Sequence, residues 1–254
     1  MTSLPAAPAS RKLGLVIDLD VCVGCHACVV NCKEWNTGGY GAALSDQDPY
    51  GANVSGAWLN RIHAFEVVPD EGSVIGEAGE VRVVHFPKSC LHCEDAPCVT
   101  VCPTGASYKR AEDGIVLIDH DKCIGCKLCS WACPYGAREY DEDVGVMKKC
   151  TLCIDKIYNK NLPEGDRVPA CVATCPSKAR HFGDFADPDS KVSQLVRERG
   201  GFDLMPETGY RPTSKYLPPR PGNGANGAPK KLEPAPDLAG AGKFLRWVDR
   251  VLSR

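Results

Sequence analysis

Four cysteines in the middle of the chain follow the pattern C-x2-C-x2-C-x3-C-P. Cys123, Cys126 and Cys129 are three residues apart, and Cys133 follows four residues later, directly before Pro134. Thiolates are the soft anionic ligands of iron–sulfur clusters, and three thiolates at this spacing can wrap around one cube. The pattern therefore predicts a cubane cluster. Cys133 cannot easily reach back to that cube, so it is expected to serve a neighbouring one.

Three further cysteine groups bring the total to sixteen cysteines. The first group is Cys22, Cys25, Cys28 and Cys32; the second is Cys90, Cys93, Cys98 and Cys102; the fourth is Cys150, Cys153, Cys171 and Cys175. Residues 16–25 align without gaps with residues 117–126. The second group also matches the fourth, although 17 residues divide the fourth group between Cys153 and Cys171. The order is therefore A-B-A-B, which indicates a duplicated two-cluster unit.

Short strands are predicted to lead into the first and third groups, at residues 14–18 and 115–119. Two further β-rich runs, residues 58–68 and 81–86, predict a hairpin within an insertion at about residues 36–88. Gly24 and Gly125 occur where the backbone must pass close to the inorganic core, since glycine has no Cβ to obstruct it. The predicted fold class is α+β, with duplicated bacterial 2×[4Fe–4S] ferredoxin-like modules, an inserted β-hairpin and an extended C-terminal tail.

The remaining segments differ in composition from this core. Residues 1–11 form a predicted flexible arm, and residues 12–187 form the double ferredoxin-like domain. Residues 188–240 form a Pro/Gly-rich tail that contains a short helix at residues 190–198. Residues 241–254 predict an amphipathic helix, which could fold back on its own domain, dock on a partner subunit or lie on a membrane surface.

Composition excludes several classes of protein. A net charge of −2 gives no electrostatic basis for binding nucleic acid. We expect neither an export signal nor a membrane span, because no uncharged apolar run approaches the roughly 18 residues required. The thiols are therefore expected to be reduced, which favours metal ligation over a disulfide framework. No nucleophile–base pair or phosphate-binding glycine loop is visible, so the chain is predicted to carry electrons rather than to transform a substrate.

Two alternatives concern the ligands themselves. Sixteen thiolates could instead hold four structural zinc ions, although zinc sites usually pair two distant C-x2-C motifs. His26 and His92 lie between cysteines and could be ligands. We expect both histidines to pack or hydrogen-bond beside a cluster, because the cysteine count is already complete.

With all four groups placed, the chain resembles the four-cluster iron–sulfur subunit of the dimethyl sulfoxide reductase superfamily, the molybdopterin oxidoreductases. The resemblance covers residues 12–184 and includes every cysteine. It implies four [4Fe–4S] clusters with these ligands: Cys22, Cys25, Cys28 and Cys175 for cluster 1; Cys150, Cys153, Cys171 and Cys32 for cluster 2; Cys90, Cys93, Cys98 and Cys133 for cluster 3; Cys123, Cys126, Cys129 and Cys102 for cluster 4. Nitrate reductase relatives have tryptophan at the position of Cys126, so this chain is expected to hold four complete cubes.

The resemblance also implies a role. The chain would carry electrons between a molybdopterin catalytic subunit and a polytopic quinone-binding membrane subunit, at the inner, cytoplasmic face of the membrane. The first group and the following Lys33-Glu-Trp-Asn36 look most like the iron–sulfur subunit of quinone-linked sulfite dehydrogenases. Dimethyl sulfoxide, polysulfide and tetrathionate reductases are alternatives, as are formate dehydrogenase and hydrogenase. A structural zinc-binding scaffold is the alternative from a different class.

The cluster and zinc hypotheses predict different metal contents. Purified anaerobically, the chain should be brown and contain about sixteen irons, four for each cube. Metal analysis of the purified chain tests this expectation. A colourless protein with about four zinc ions would contradict it.

Overall fold

The computed structural model describes residues 4–37, 57–68 and 81–220. Most of the long connection after the first cysteine group therefore lies outside the described residues. The predicted amphipathic helix at residues 241–254 and the end of the predicted tail, residues 221–240, also lie outside them. All sixteen cysteines lie inside the described ranges.

The described residues combine short strands with mostly very short helices, as an α+β fold requires. The strands are β1 (Leu13–Asp18), β2 (Asn60–Val67), β3 (Arg82–Ser89), β4 (Ser107–Lys109), β5 (Val116–Ile118), β6 (Glu139–Asp141), β7 (Val146–Lys148), β8 (Arg180–Asp184) and β9 (Lys215–Leu217). The helices are α1 (Ala27–Thr37), α2 (Pro97–Thr100), α3 (Leu128–Trp131), α4 (Ile154–Ile157), α5 (Ala170–Ala173) and α6 (Lys191–Arg199), with 3₁₀ turns at Glu164–Asp166 and Pro206–Thr208. None of these helices is long and apolar enough to cross a membrane.

Strand pairing crosses between the two copies of the repeat. Strand β1 precedes the first cysteine group and pairs antiparallel with β8, which follows the fourth group. Strand β4 follows the second group and pairs antiparallel with β5, which precedes the third. Because β5 corresponds to β1 and β8 to β4, each sheet joins the start of one copy to the end of the other. This exchange brings the first group towards the fourth and the second towards the third.

A second type of strand pair lies within each copy. Strands β2 and β3 are eight residues long and pair antiparallel, from Asn60↔Ser89 to Val67↔Arg82. In the second copy, β6 and β7 hold the same place in the chain but are only three residues long. The first copy therefore contains the longer insertion, and residues 69–80, which connect β2 to β3, are outside the described part.

Helix α6 begins and ends at strong local signals. The Ser190 hydroxyl accepts a hydrogen bond from the Ser193 amide, and Gly200 adopts the left-handed conformation (φ 62°) that ends the helix. Val192 packs against Val16 of β1 and holds the helix on the sheet. The predicted helix at residues 190–198 therefore forms, shifted by one residue.

Part of the segment predicted as an extended tail is instead packed onto the domain. Strand β9 pairs parallel with β1, and its Tyr216 is completely buried. The Tyr216 ring stacks on Phe86 with 4.6 Å between centroids, and its hydroxyl donates to the Pro87 carbonyl at 2.9 Å. Pro- and Gly-rich composition did not predict this strand. A triplet with two large apolar side chains, Tyr216 and Leu217, can pair with an available sheet edge whatever the composition around it.

The predicted N-terminal arm also makes contacts with the domain over its described part. Ala9 is buried, and the Arg11 amide donates to the Glu112 carbonyl at 3.3 Å. The Arg11 side chain forms an ion pair with Asp184 of β8 at 3.1 Å. These contacts attach residues close to the first strand to the second copy of the repeat.

One buried apolar cluster runs through the molecule and includes the cysteine thiols. Its largest aliphatic members include Leu15, Ile17, Leu91, Ile115, Met147 and Leu152. Seven cysteines belong to the same cluster: Cys28, Cys90, Cys93, Cys98, Cys129, Cys150 and Cys171. Core packing and the sulfur sites are therefore parts of one structure.

Packing of Tyr216 makes a graded stability prediction. Replacing it with alanine removes a fully buried ring and should destabilise the chain by about 3–5 kcal/mol. Tyr216→Phe removes only the hydrogen bond to Pro87, for a loss of about 1 kcal/mol. Thermal unfolding of the cluster-loaded chain, followed anaerobically by circular dichroism, measures both. Equal melting temperatures for wild type and Tyr216→Ala would contradict the packing described.

Candidate metal-cluster sites

All sixteen cysteines are free thiols, and most of them are withdrawn from solvent. Nine are buried and five are partly buried. The two exposed thiols are Cys25 and Cys126, which occupy equivalent positions in the first and third groups. Burial of so many ionisable sulfurs without disulfides is typical of metal-cluster ligands, because a buried anion needs a nearby cation.

Every group has the same backbone turn at its start. The residue before the second cysteine has a positive φ in all four groups: 67° at Gly24, 51° at His92, 66° at Gly125 and 54° at Leu152. This conformation costs roughly 1–2 kcal/mol at a residue other than glycine. The two glycines were recognisable in the sequence as turn residues, whereas His92 and Leu152 gave no such signal.

Gly125 shows why the turn is so restrictive. A Cβ at this position would lie 2.5 Å from the Gly145 carbonyl oxygen, which is backbone and cannot rotate away. At Gly24 a Cβ would overlap the His85 ring. The turn of the third group therefore needs glycine for space, and glycine at both positions avoids the cost of a positive φ.

The fourth thiol of the first group lies among the thiols of the fourth group. Burial raises the pKa of Cys32 well above its ordinary value. Repulsion from the neighbouring Cys150, Cys171 and Cys153 raises this pKa further. Asn36, one turn of α1 after Cys32, places its amide nitrogen 3.6 Å from the Cys32 sulfur and 3.7 Å from that of Cys153. The thiols of Cys32, Cys150, Cys153 and Cys171 therefore lie together as one set.

The exchange is reciprocal. Burial raises the pKa of Cys22 in the first group, and repulsion from Cys28 and from Cys175 of the fourth group adds to the rise. The Cys175 sulfur in turn accepts a hydrogen bond from the Ala179 amide at 3.2 Å. The structure therefore brings Cys175 to the first group, on whose loop Cys25 is exposed.

The second and third groups exchange their fourth thiols in the same way. Burial raises the pKa of Cys93, and repulsion from Cys90, Cys98 and Cys133 adds to this rise. Cys133, the last cysteine of the third group, is thus a neighbour of the second group. Because Cys133 lies beside the second group, it is not expected to bind the cube predicted for the loop of Cys123, Cys126 and Cys129.

The remaining four thiols line one cavity. Cys102, Cys123, Cys126 and Cys129 all border this cavity, which is partly open to solvent. A single zinc ion would hold four sulfurs about 2.3 Å from one point. Among the described residues, no three His, Cys, Asp or Glu side chains form a single-ion site. The four thiols therefore share one cavity without forming the closed shell of a single ion.

Backbone amides point at several sulfurs. Four such contacts, at 3.3–3.4 Å, are Ser107 N to Cys102, Met147 N to Cys123, Leu152 N to Cys150 and Ala170 N to Cys153. The first two of these contacts are made to thiols of the cavity just described. Amide donors stabilise the thiolate form and adjust the potential of a bound cluster.

The two histidines of the cysteine loops have different surroundings. His92 is completely buried, and its Nδ1 accepts a hydrogen bond from the Val116 amide at 3.1 Å. Burial lowers the pKa of His92 well below its ordinary value, and Lys149 and Lys109 nearby lower it further. His92 is therefore a neutral packing residue with one satisfied nitrogen. His26 adopts a left-handed conformation (φ 59°) at the start of α1.

These residues fit a bound iron–sulfur cluster. Burial raises the pKa of Cys150 to about 12, with a further contribution from Cys171, so this thiol would lose its proton to solvent only when a strong cation binds its sulfur. Iron would supply that cation, and a bound cluster would accept and release single electrons. The chain groups the sulfurs and withdraws most of them from water.

Two matches to a known domain family agree with this geometry. A 4Fe–4S dicluster domain matches residues 21–106, and a second 4Fe–4S dicluster domain matches residues 81–185. Two dicluster domains provide for four [4Fe–4S] clusters, which sixteen cysteines can hold.

Known proteins similar to this chain share most of its length. A sulfite dehydrogenase subunit of Allochromatium vinosum is 61% identical over 209 residues, covering 82% of this chain and 84% of the relative. A dimethyl sulfoxide reductase-type iron–sulfur subunit of Halobacterium salinarum is 37% identical, covering 92% of this chain and 89% of the relative. A tetrathionate reductase subunit of Salmonella typhimurium is 35% identical, covering 82% and 72%.

Identity at this level and over this length shows common descent. The chain therefore belongs to the family of 4Fe–4S iron–sulfur subunits of the dimethyl sulfoxide reductase superfamily.

Proposed function

We propose that this chain transfers electrons between a molybdopterin catalytic subunit and a quinone-binding membrane subunit of a sulfite-oxidising complex. The 61% identity to a sulfite dehydrogenase subunit supports sulfite over the substrates of the other relatives. Oxidation of sulfite to sulfate takes an oxygen atom from water and releases two electrons and two protons. Reduction of quinone to quinol takes them up, so the reaction balances.

The observation that carries this proposal is a continuous row of thiols through the protein. Cys28 of the first group lies near Cys171 of the fourth. Cys150 of the fourth lies near Cys90 of the second. The set containing Cys90 is joined through Arg138 to Cys129 of the third group. The row begins and ends near an exposed thiol, Cys25 at one end and Cys126 at the other. Such a row suits electron transfer, which does not need a binding site for an organic substrate.

The neighbours of the fourth thiols support the ligand sets that the family resemblance implies. We assign Cys22, Cys25, Cys28 and Cys175 to cluster 1; Cys150, Cys153, Cys171 and Cys32 to cluster 2; Cys90, Cys93, Cys98 and Cys133 to cluster 3; and Cys123, Cys126, Cys129 and Cys102 to cluster 4. The first three sets are supported by the thiols that lie near one another: Cys175 near Cys22, Cys150 near Cys32, and Cys133 near Cys93. The cavity that Cys102, Cys123, Cys126 and Cys129 line together supports the fourth.

Both ends of the row have apolar rims that suit docking of partner subunits. Val23 (61% exposed) and Val30 flank the exposed Cys25 in sequence. At the other end, Trp131 is 89% exposed and ends helix α3, five residues after the exposed Cys126. Exposed apolar side chains beside a functional group are common at interaction surfaces. By its resemblance to the family, the cluster 1 end faces the catalytic subunit and the cluster 4 end faces the membrane subunit, at the inner face of the cytoplasmic membrane.

Related reductases remain the second candidate function. The relatives include a tetrathionate reductase subunit and an iron–sulfur subunit of the dimethyl sulfoxide reductase type. The same chain could serve either direction of electron flow, because the substrate is bound by a different subunit. The partner and its substrate decide between these candidates.

Purification of the complex from membranes through a tag on this chain tests the function. We expect a molybdenum-containing subunit and a polytopic membrane subunit to co-purify, and sulfite to reduce a quinone analogue in the purified complex. Molybdenum analysis and a spectrophotometric quinone assay measure both. Reduction of tetrathionate or a sulfoxide without sulfite oxidation would favour the reductase alternative, and absence of molybdenum would contradict the proposal.

Two surface variants serve as matched controls for this experiment. Val30 and Trp131 occupy equivalent positions in the two copies of the repeat. Trp131→Glu should release the membrane subunit and retain the molybdenum subunit, whereas Val30→Glu should do the reverse. Loss of both partners from either variant would contradict the assignment of the two ends.

The ligand sets predict which cysteines act together. Cys133→Ser should alter the same electron paramagnetic resonance signal as Cys93→Ser, because both thiols are assigned to cluster 3. Cys126→Ser should alter a different signal, although Cys126 is closer to Cys133 in sequence. Spectra of the reduced chain, recorded with its iron content, measure this. A shared signal for Cys133→Ser and Cys126→Ser would contradict the exchanged ligand.

A further inference from the structure

Of the five buried cations among the described residues, three have thiols of two different groups as neighbours. Arg138, Lys149 and Arg180 each expose only 3–4% of their surface. Lysine and arginine are almost never buried to this extent unless an anion accompanies them, because moving a charge from water into a protein interior costs several kcal/mol. The groups that surround these three side chains therefore need explanation.

Arg138 lies between thiols of two different sets. Its Nη2 donates to the Cys98 sulfur at 2.8 Å and to the Ser107 hydroxyl at 2.9 Å. On its other side is Cys129, whose pKa is raised by burial and lowered again in part by this guanidinium. Nε and Nη1 of Arg138 are buried and have no hydrogen-bond acceptor among the described residues. The guanidinium thus lies between the thiols assigned to clusters 3 and 4, and its Nε and Nη1 are available to donate to a bound cluster.

Arg180 has the corresponding position between the other two sets. Its Nη2 donates to the Asn60 side-chain oxygen at 2.7 Å, and its buried Nη1 has no acceptor in the described part of the chain. Burial lowers the pKa of Arg180, but Cys171 and Cys28 outweigh burial and raise it. Cys28 is assigned to cluster 1 and Cys171 to cluster 2, so this guanidinium lies at the junction of those clusters.

Lys149 occupies the junction in the middle of the row. Its ammonium donates to the Cys150 carbonyl at 2.7 Å and also to the Val116 carbonyl. Cys150, assigned to cluster 2, and Cys90, assigned to cluster 3, are its anionic neighbours. Each of the three junctions along the row therefore contains one buried cation.

The repeat accounts for two of these positions. Arg138 and Arg180 each follow by five residues the last cysteine of a group, in the pattern C-P-x-x-A-R. The second group has Ser107 at this position, and Ser107 is the residue that accepts a hydrogen bond from Arg138. Neutral thiols would not offset the buried charges, whereas thiolates bound to clusters would.

We propose that Arg180, Lys149 and Arg138 are positioning residues, one at each junction between consecutive clusters, and that each raises the reduction potentials of the two clusters whose thiols lie near it. This inference rests on the proposed function as an electron conductor. Reduction adds one electron, and hence one negative charge, to a cluster. A positive charge at close range in a medium of low dielectric constant stabilises that reduced form. Since the anionic neighbours of each cation include thiols of two sets, its loss should affect two clusters rather than one.

Potentiometric titration followed by electron paramagnetic resonance tests the proposal on the full, cluster-loaded chain, with dithionite supplying electrons through mediators. Arg138→Gln should lower the potentials of clusters 3 and 4, and Arg180→Gln those of clusters 1 and 2. We expect at least a tenfold decrease in each equilibrium constant for reduction, which is about 59 mV for a one-electron couple. Arg138→Lys keeps the charge and should restore most of the shift.

Lys122→Gln is the matched control. Lys122 directly precedes the ligand Cys123, yet its side chain is 64% exposed and paired with Asp119 at 2.7 Å. Its removal should leave all four potentials unchanged, because solvent screens an exposed charge. An equal shift in Lys122→Gln and Arg138→Gln would overturn the proposal.

Other outcomes are equally decisive. Unchanged potentials in fully loaded Arg138→Gln and Arg180→Gln, or a shift of one cluster only, would overturn the proposal. If both variants and Lys149→Met lose iron, the cations act only in assembly and the proposal is wrong. The titration needs neither sulfite nor a partner subunit, so its result is independent of whether the chain serves a sulfite-oxidising complex.

Discussion

Negative charge on buried sulfur is the constraint on which this structure depends. Nine of sixteen thiols are buried in a chain with an ordinary apolar content of 43%, and seven of them are part of its main core. Burial and mutual repulsion oppose ionisation of these thiols, as the raised pKa of Cys150 shows. Iron, backbone amides and the buried cations together offset the charge. The core therefore folds around the ligands, and the short helices and strands connect one sulfur loop to the next.

Exchange of strands between the two copies determines how the loops meet. Pairing of β1 with β8 and of β4 with β5 closes two sheets, each built from both copies. Consequently, the last thiols of the first and fourth groups lie each beside the other group, and Cys133 of the third group lies beside the second. A chain with two self-contained modules would contain two separate pairs of clusters. The exchanged arrangement gives one row, and Lys149 lies at the point where its two halves meet.

Outside this row, the described C-terminal segment shows how weakly composition predicts packing. Residues around β9 are rich in proline and glycine, yet Tyr216 and Leu217 are completely buried against β1 and its neighbours. Helix α6 was predictable because its start and end depend on Ser190 and Gly200, which act locally. Strand β9 was not, since its partner β1 is about two hundred residues away in the chain.

Sequence alone determined the number of ligands, the type of cluster, the duplication and the turns at Gly24 and Gly125. These properties depend on spacing within a single loop, where residue type and geometry are directly related. Tertiary structure decided which groups lie together, placed Cys32 beside Cys150, and brought Arg138 and Arg180 between the sets. The physical reason is that the two copies are alike. Each loop could meet the other loop of its own copy or that of the second copy, and only the pairing of distant strands distinguishes these possibilities.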